Sequence, residues 1–294
     1  MRRPILCVAL LVPGPAVAHD APGPFAGWSF EAWVVVPLAL AALLYAVGQW
    51  RLRGRTSTAF DWRRPSFFAA GWLVTALALV SPLHVAGGRS FAAHMFEHEL
   101  LMLAGAPLLV LSRPLPVMLW ALPHAARRGL GRAVLAPGIG ATWSMLTHPA
   151  VATVLQAVAL WLWHAPALFG LALAGEGWHV LQHLSFMVTA LLFWSSMLDE
   201  ARMRHHPMAA VVGLFVTALV SGALGALMAF SASPWYVGYV RLGMTPFGLT
   251  PVEDQQLAGL LMWIPGGVVH AAAALAIVAR LLHGSPREAV SHAE

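Results

Sequence analysis

The chain has 294 residues, 59% of them hydrophobic and only 10% charged, with 17 basic and 12 acidic side chains and a net charge of +5. Soluble domains carry about 25% charged residues, so this composition excludes an ordinary soluble domain and requires a lipid bilayer as partner. The basic residues are all arginines, gathered in alternate loops, which is a membrane-topology pattern and excludes a nucleic-acid partner.

Residues 1–18 read as a secretory signal peptide. Arg2 and Arg3 open it, Ile5 to Val12 form the apolar stretch, and Ala16-Val17-Ala18 offers a small-residue cleavage site. The rival reading, an uncleaved anchor, suits the segment less well, because the stretch is short and broken by Pro13 and Pro15. Cleavage would make His19 the mature N-terminus, with Asp20 beside it. An α-amine and an imidazole on one residue form a chelating pair suited to Cu(II). Cleavage also removes Cys7, the only cysteine, so the mature chain has no disulfide and no thiolate ligand. Any metal must then be held by His, Met and carboxylates.

Residues 19–294 read as one all-α domain, a polytopic bundle of seven transmembrane helices. Apolar runs at 29–50, 66–83, 91–111, 142–163, 178–198, 208–230 and 257–282 each suffice to cross a hydrocarbon core of about 30 Å. Arg51, Arg53, Arg55, Arg63 and Arg64 follow the first run, and Arg113, Arg127, Arg128 and Arg132 follow the third. Arg202 and Arg204 follow the fifth, Arg280 and Arg287 end the seventh, and the other loops carry only Arg89 and Arg241. The arginine-rich loops are therefore expected in the cytoplasm, with the mature N-terminus outside. With a bacterial-type signal, outside is the periplasmic or extracellular face of the plasma (inner) membrane.

Two of these runs open with the same spacing. His94-Met95-Phe96-Glu97-His98 continues to Met102, and His179-Val180-Leu181-Gln182-His183 continues to Met187, at a constant offset of 85 residues. Residues four apart on a helix lie about 40° apart around the axis and about 6 Å apart along it, so each His pair forms one stripe able to grip a metal ion. His84 ends the second run and His164 the fourth, so six of the fourteen histidines gather at the outer ends of four consecutive helices. Polar groups at such depths are costly and default to function. The constant offset fits a repeated helical hairpin with a site at its interface.

The candidate metal ligands are His94, His98, His179 and His183, then His164 and His84, with Met102, Met187 and Asp254 behind them. A lone histidine at a helix end needs no ligand role, and methionine mostly fills core gaps. Where a thioether does bind beside imidazoles, it favours Cu(I), with zinc the other candidate. Asp254 opens the last helix, where an acidic residue also suits the helix dipole. Glu97 and Glu99 flank His98 and point to other faces of its helix, either hydrogen-bonding a neighbouring ligand or facing water. His270 lies deeper along the last helix and reads as structural.

At these residues the chain resembles the multi-spanning CtaG family of cytochrome c oxidase assembly factors, from about the second helix to the seventh. The matching pieces are His94-Met95-Phe96-Glu97-His98 with Ala106-Pro107-Leu108-Leu109, Trp163-His164-Ala165-Pro166, His179 to His183 with Phe193-Trp194, and Asp254-Gln255-Gln256-Leu257-Ala258-Gly259 with Met262-Trp263. The family usually has Gln at the position of Glu97 and an apolar residue at that of Glu99, so the outer end is more negative here. The resemblance implies a plasma-membrane carrier, not an enzyme, that takes copper from donor proteins and serves the subunits of a heme–copper oxidase. The alternatives are a metal-dependent membrane hydrolase or oxygenase, whose histidine boxes usually face the cytoplasm, and a membrane cytochrome with one heme between the third and fifth helices.

Overall fold

The computed structural model describes residues 27–53, 62–134, 136–199 and 207–284. The expected signal peptide, with Cys7, His19 and Asp20, lies outside them. The described residues are helical with no strand: α1 (Ala32–Arg53), α2 (Arg63–Val80), α3 (Pro82–Gly87), α4 (Phe91–Glu99), a π-helix (Leu100–Gly105), α5 (Ala106–Ser112), α6 (Pro114–Ala121), α7 (His124–Val134), α8 (Pro137–Leu146), α9 (Pro149–His164), α10 (Pro166–Ala174), α11 (Glu176–Met197), α12 (Pro207–Ala229), α13 (Val237–Leu242) and α14 (Pro251–Gly284).

Five helical stretches are long and apolar enough to cross a membrane: α1, the unbroken run Phe91–Ser112, α11, α12 and α14. The run expected at 142–163 is not one straight helix. It is the pair α8 and α9, bent by 65°, and counting the pair as one span makes six. The bend falls at His148, whose extended ψ of 134° is what a following proline imposes. The run expected at 66–83 is likewise divided. Its first part, α2, carries Arg63 and Arg64 in its opening turn and is not among the spanning stretches. Ser81, extended before Pro82, then restarts the chain as α3 and accepts a hydrogen bond from the Leu83 N–H at 3.2 Å. His84 thus sits on a short helix of its own rather than at the end of the second span.

The expected run 91–111 forms at the expected place, but with a π-turn inside it. Pro107 has no N–H and crowds the carbonyl four residues back, and the wider i to i+5 pattern accommodates both defects. One such bond runs from the Ala106 N–H to the Leu101 carbonyl. The Trp194 indole donates to the Met102 carbonyl at 2.8 Å, satisfying an acceptor inside the π-turn. Such bulges recur at functional sites.

A close helix crossing joins α12 to α14 through glycines. A methyl at Gly225 would meet the Gly259 carbonyl oxygen at 2.7 Å and the Trp263 nitrogen at 3.0 Å. Small residues at such crossings let backbones touch, a source of association in lipid. α14 also packs against α4, so this crossing supports the helix that carries His94 and His98.

Candidate metal centre

The site is built where α3, α4 and α11 meet. Gly87, at the end of α3, makes the approach to α4 close: a methyl there would meet the His94 Cα at 3.3 Å and Glu97 Oε2 at 3.4 Å. The first turn of α4 is held from far away in sequence. Asp254 accepts hydrogen bonds from the Ser90 hydroxyl at 2.7 Å and from the Phe91 and Ala92 amides, while Ser90 itself accepts from the Ala93 N–H. Orphan N–H groups at a helix start favour such an anion. The last helix thereby fixes the start of the first ligand helix.

Four imidazoles pack as one group. Ring centroids lie 4.3 Å apart for His94 and His98, 4.3 Å for His179 and His183, 5.2 Å for His94 and His179, and 4.8 Å for His98 and His183. One nitrogen from each of His94, His179 and His183 lies within 4.8 Å of the others. The Nε2 atoms of these three rings, and both nitrogens of His98, are buried with no hydrogen-bond partner. Buried polar groups are nearly always satisfied, so this concentration of bare nitrogens calls for a ligand. Nitrogens bound to one metal at about 2.0–2.1 Å lie about 3.5 Å apart, a spacing inside the 4.8 Å that contains these three.

His84 joins from above. Its Nδ1 lies 2.8 Å from Glu97 Oε1 and its Nε2 lies 4.0 Å from Glu31 Oε2. The same Glu97 oxygen is 3.7 Å from His183 Nδ1, and His84, Glu97 and His183 form a second group whose ligand atoms lie within 4.8 Å. Burial lowers the basicity of the His84 imidazole, but hydrogen bonding and charge from Glu97, with charge from Glu31, outweigh it and raise its pKa. His179 stays half-buried while His94 and His98 are buried, so access runs past His179 and His84.

The other candidates stand apart from this cluster. His164 directs Nδ1 at the Leu160 carbonyl (2.6 Å) and Nε2 at the Met95 sulfur (3.1 Å), behind Phe169 and Phe186. Met102 accepts a hydrogen bond from the Gln156 amide on its sulfur at 3.2 Å, displaced from the histidine stripe by the π-turn. Met187 packs against the apolar core. Asp254 serves as the helix cap already described. Three further polar residues belong to the centre: Glu97, Glu31 at its rim, and Gln182, wholly buried beside His94. Gln182 sits between the two histidines of its own helix, and the adjacency is a local signal that spacing alone did not flag.

The sequence pattern of the cytochrome c oxidase caa3 assembly factor family (Caa3_CtaG) matches residues 43–283. The chain belongs to that family. No curated protein and no solved structure matches at a comparable level. The match covers the helices that carry the whole cluster and its Asp254 anchor, and leaves out only Glu31 among the residues at the rim. The start of α4 should depend on that anchor. Replacing Asp254 with Ala leaves Ser90 and two amides without their acceptor, a loss of about 1.5–3 kcal/mol for a hydrogen-bonded charge. The expected result is a lower thermal midpoint in detergent. An unchanged midpoint would show that α4 starts without this cap.

Proposed function

We propose that the protein is a copper carrier for cytochrome c oxidase assembly, not an enzyme, and that it holds Cu(I) among His94, His98, His179 and His183. The observation that carries this reading is the convergence of His94, His179 and His183, one nitrogen of each within 4.8 Å of the others, in a chain of an oxidase assembly family. With Cys7 lying in the expected signal peptide and Met102 and Met187 apart from the cluster, imidazole is the ligand left; it suits copper and zinc alike, and the oxidase-assembly family is what favours copper. His84 and Glu97 form the entry, where copper passes from a donor protein to the bare nitrogens and on to an oxidase subunit. The heme alternative is disfavoured because the rings pack against one another at 4.3–5.9 Å, with no slot for a macrocycle between them.

The reading includes seven passes in a single domain, 19–294, with α2 as the pass additional to the six apolar ones. It also places the cluster on the periplasmic or extracellular face of the plasma membrane. Arg51, at the far end of α1 from Glu31, donates to the carbonyls of Trp120, Ala121 and Leu122, so arginine and histidine mark opposite ends. That polarity supports the positive-inside orientation.

Deletion of the gene in cells grown at limiting copper tests the function. The expected oxidase is made and holds heme, but is inactive and copper-deficient. The wild-type gene restores it and an H94A/H183A copy does not. Normally metallated oxidase in the deleted cells would contradict the proposal.

A further inference from the structure

A small chamber, largely apolar but with several polar groups in its wall, lies inward of the histidine cluster between the π-turn, α9, α11, α12 and α14. Its volume is about 20 Å³, and a single water-sized guest needs about 10–15 Å³. Glu99, Met102, Gln156, Thr217, Ser221 and His270 line it. Glu99, Gln156 and Thr217 are 8%, 7% and 5% exposed, and Glu99 Oε2, Gln156 Oε1 and Thr217 Oγ1 have no hydrogen-bond partner. Three unsatisfied oxygens around one chamber in the bundle interior mark a missing guest.

The polar part of the wall offers a carboxyl, an amide, two hydroxyls, a thioether and an imidazole. Ser221 spends its proton on the Thr217 carbonyl at 2.8 Å. His270 Nδ1 lies 2.7 Å from the Gly266 carbonyl, to which it donates, leaving Nε2 as the lone-pair nitrogen, the way metal-bound imidazoles are oriented. The Trp194 ring stacks on His270 at 5.6 Å, fixing its plane. The Gln156 amide nitrogen donates to the Met102 sulfur at 3.2 Å, and its oxygen is the atom without a partner. No arginine lines the chamber.

We propose that this chamber is an inner site for one Cu(I) ion, held by Met102, His270 and Glu99, with Gln156 and the hydroxyls completing the shell. A thioether and an imidazole in the donor set select a soft ion over a hard one. The choice of copper rests on the reading of the outer cluster given above. Glu99 follows His98 directly and Met102 lies one turn further, so the two sites stand in series along one helix, and the inner one stores or relays what the outer one receives.

Full-length protein, purified in detergent without added metal, is titrated anaerobically with Cu(I) against a coloured Cu(I) chelator. Two equivalents are expected for wild type, one for M102L and one for G266A. A methyl at Gly266 meets Glu99 Oε2 at 3.8 Å and Ser221 Oγ at 3.9 Å. These are ordinary contacts, so G266A fills the chamber without forcing helices apart and serves if M102L fails to fold. H94A/H183A should keep one equivalent, whose X-ray absorption spectrum carries a sulfur contribution. Inner variants that bind as much copper as wild type, or wild-type protein whose single equivalent is lost in H94A/H183A, overturn the inner site; a chamber holding only water gives this result. If H94A/H183A matches wild type while M102L and G266A each lose one equivalent, the outer reading fails and the inner site stands.

Discussion

Protein carrying H94A and H183A together is expected to fold, yet to gain none of the stability that Cu(I) confers through the outer cluster. Removing these imidazoles leaves voids, but it also removes bare buried nitrogens that cost about 1–3 kcal/mol each. The two effects offset, so the metal-free thermal midpoint should stay close to wild type. Metal separates the proteins. A ligand at a hundredfold excess over its Kd stabilises the folded state by about 2.7 kcal/mol, and this increment should appear at the outer site in wild type only. Equal Cu(I)-induced shifts in the two proteins would place the outer copper elsewhere.

The second large effect is on folding itself. A Gly225→Val side chain meets the Gly259 carbonyl oxygen and the Trp263 nitrogen, both backbone atoms that cannot rotate away. α12 and α14 must separate, and overpacking of this kind costs about 1–3 kcal/mol even where side chains absorb it. The expected result is a clearly lower thermal midpoint and, because α14 carries Asp254, weaker copper binding as α4 loses its cap. Gly267→Ala is the control. Nothing lies within 4 Å of that methyl, and alanine favours the helix by about 1 kcal/mol over glycine. Equal midpoints for the two variants would contradict the crossing.

What could be read from the chain and what could not divide along the range of the interactions. The His94–His98 and His179–His183 pairs were legible because four-residue spacing on a helix is a local property, and both pairs do converge. The apolar runs were legible for the same reason, within a turn or so at most ends. Where a proline interrupts a run, as at Pro82, Pro107 and Pro149, hydropathy shows the run while the backbone shows a break, a π-turn or a bend. That is why His84 sits on a short helix of its own and Met102 lies away from its expected stripe. Asp254 illustrates the other limit. Its acidity at a helix start was visible, but its partners lie more than 160 residues away in sequence, and only packing reveals that it caps the helix bearing His94. Glu97 is similar: its role as the partner of His84 depends on α3 turning back over α4.

The most direct test of the central claim is the metal content of full-length protein purified from its own membrane, with no metal added and no chelating affinity tag. Elemental analysis should find copper at stoichiometric level in wild type, with at least one equivalent lost in H94A/H183A. Zinc in place of copper, or copper retained in full by the variant, would contradict the account.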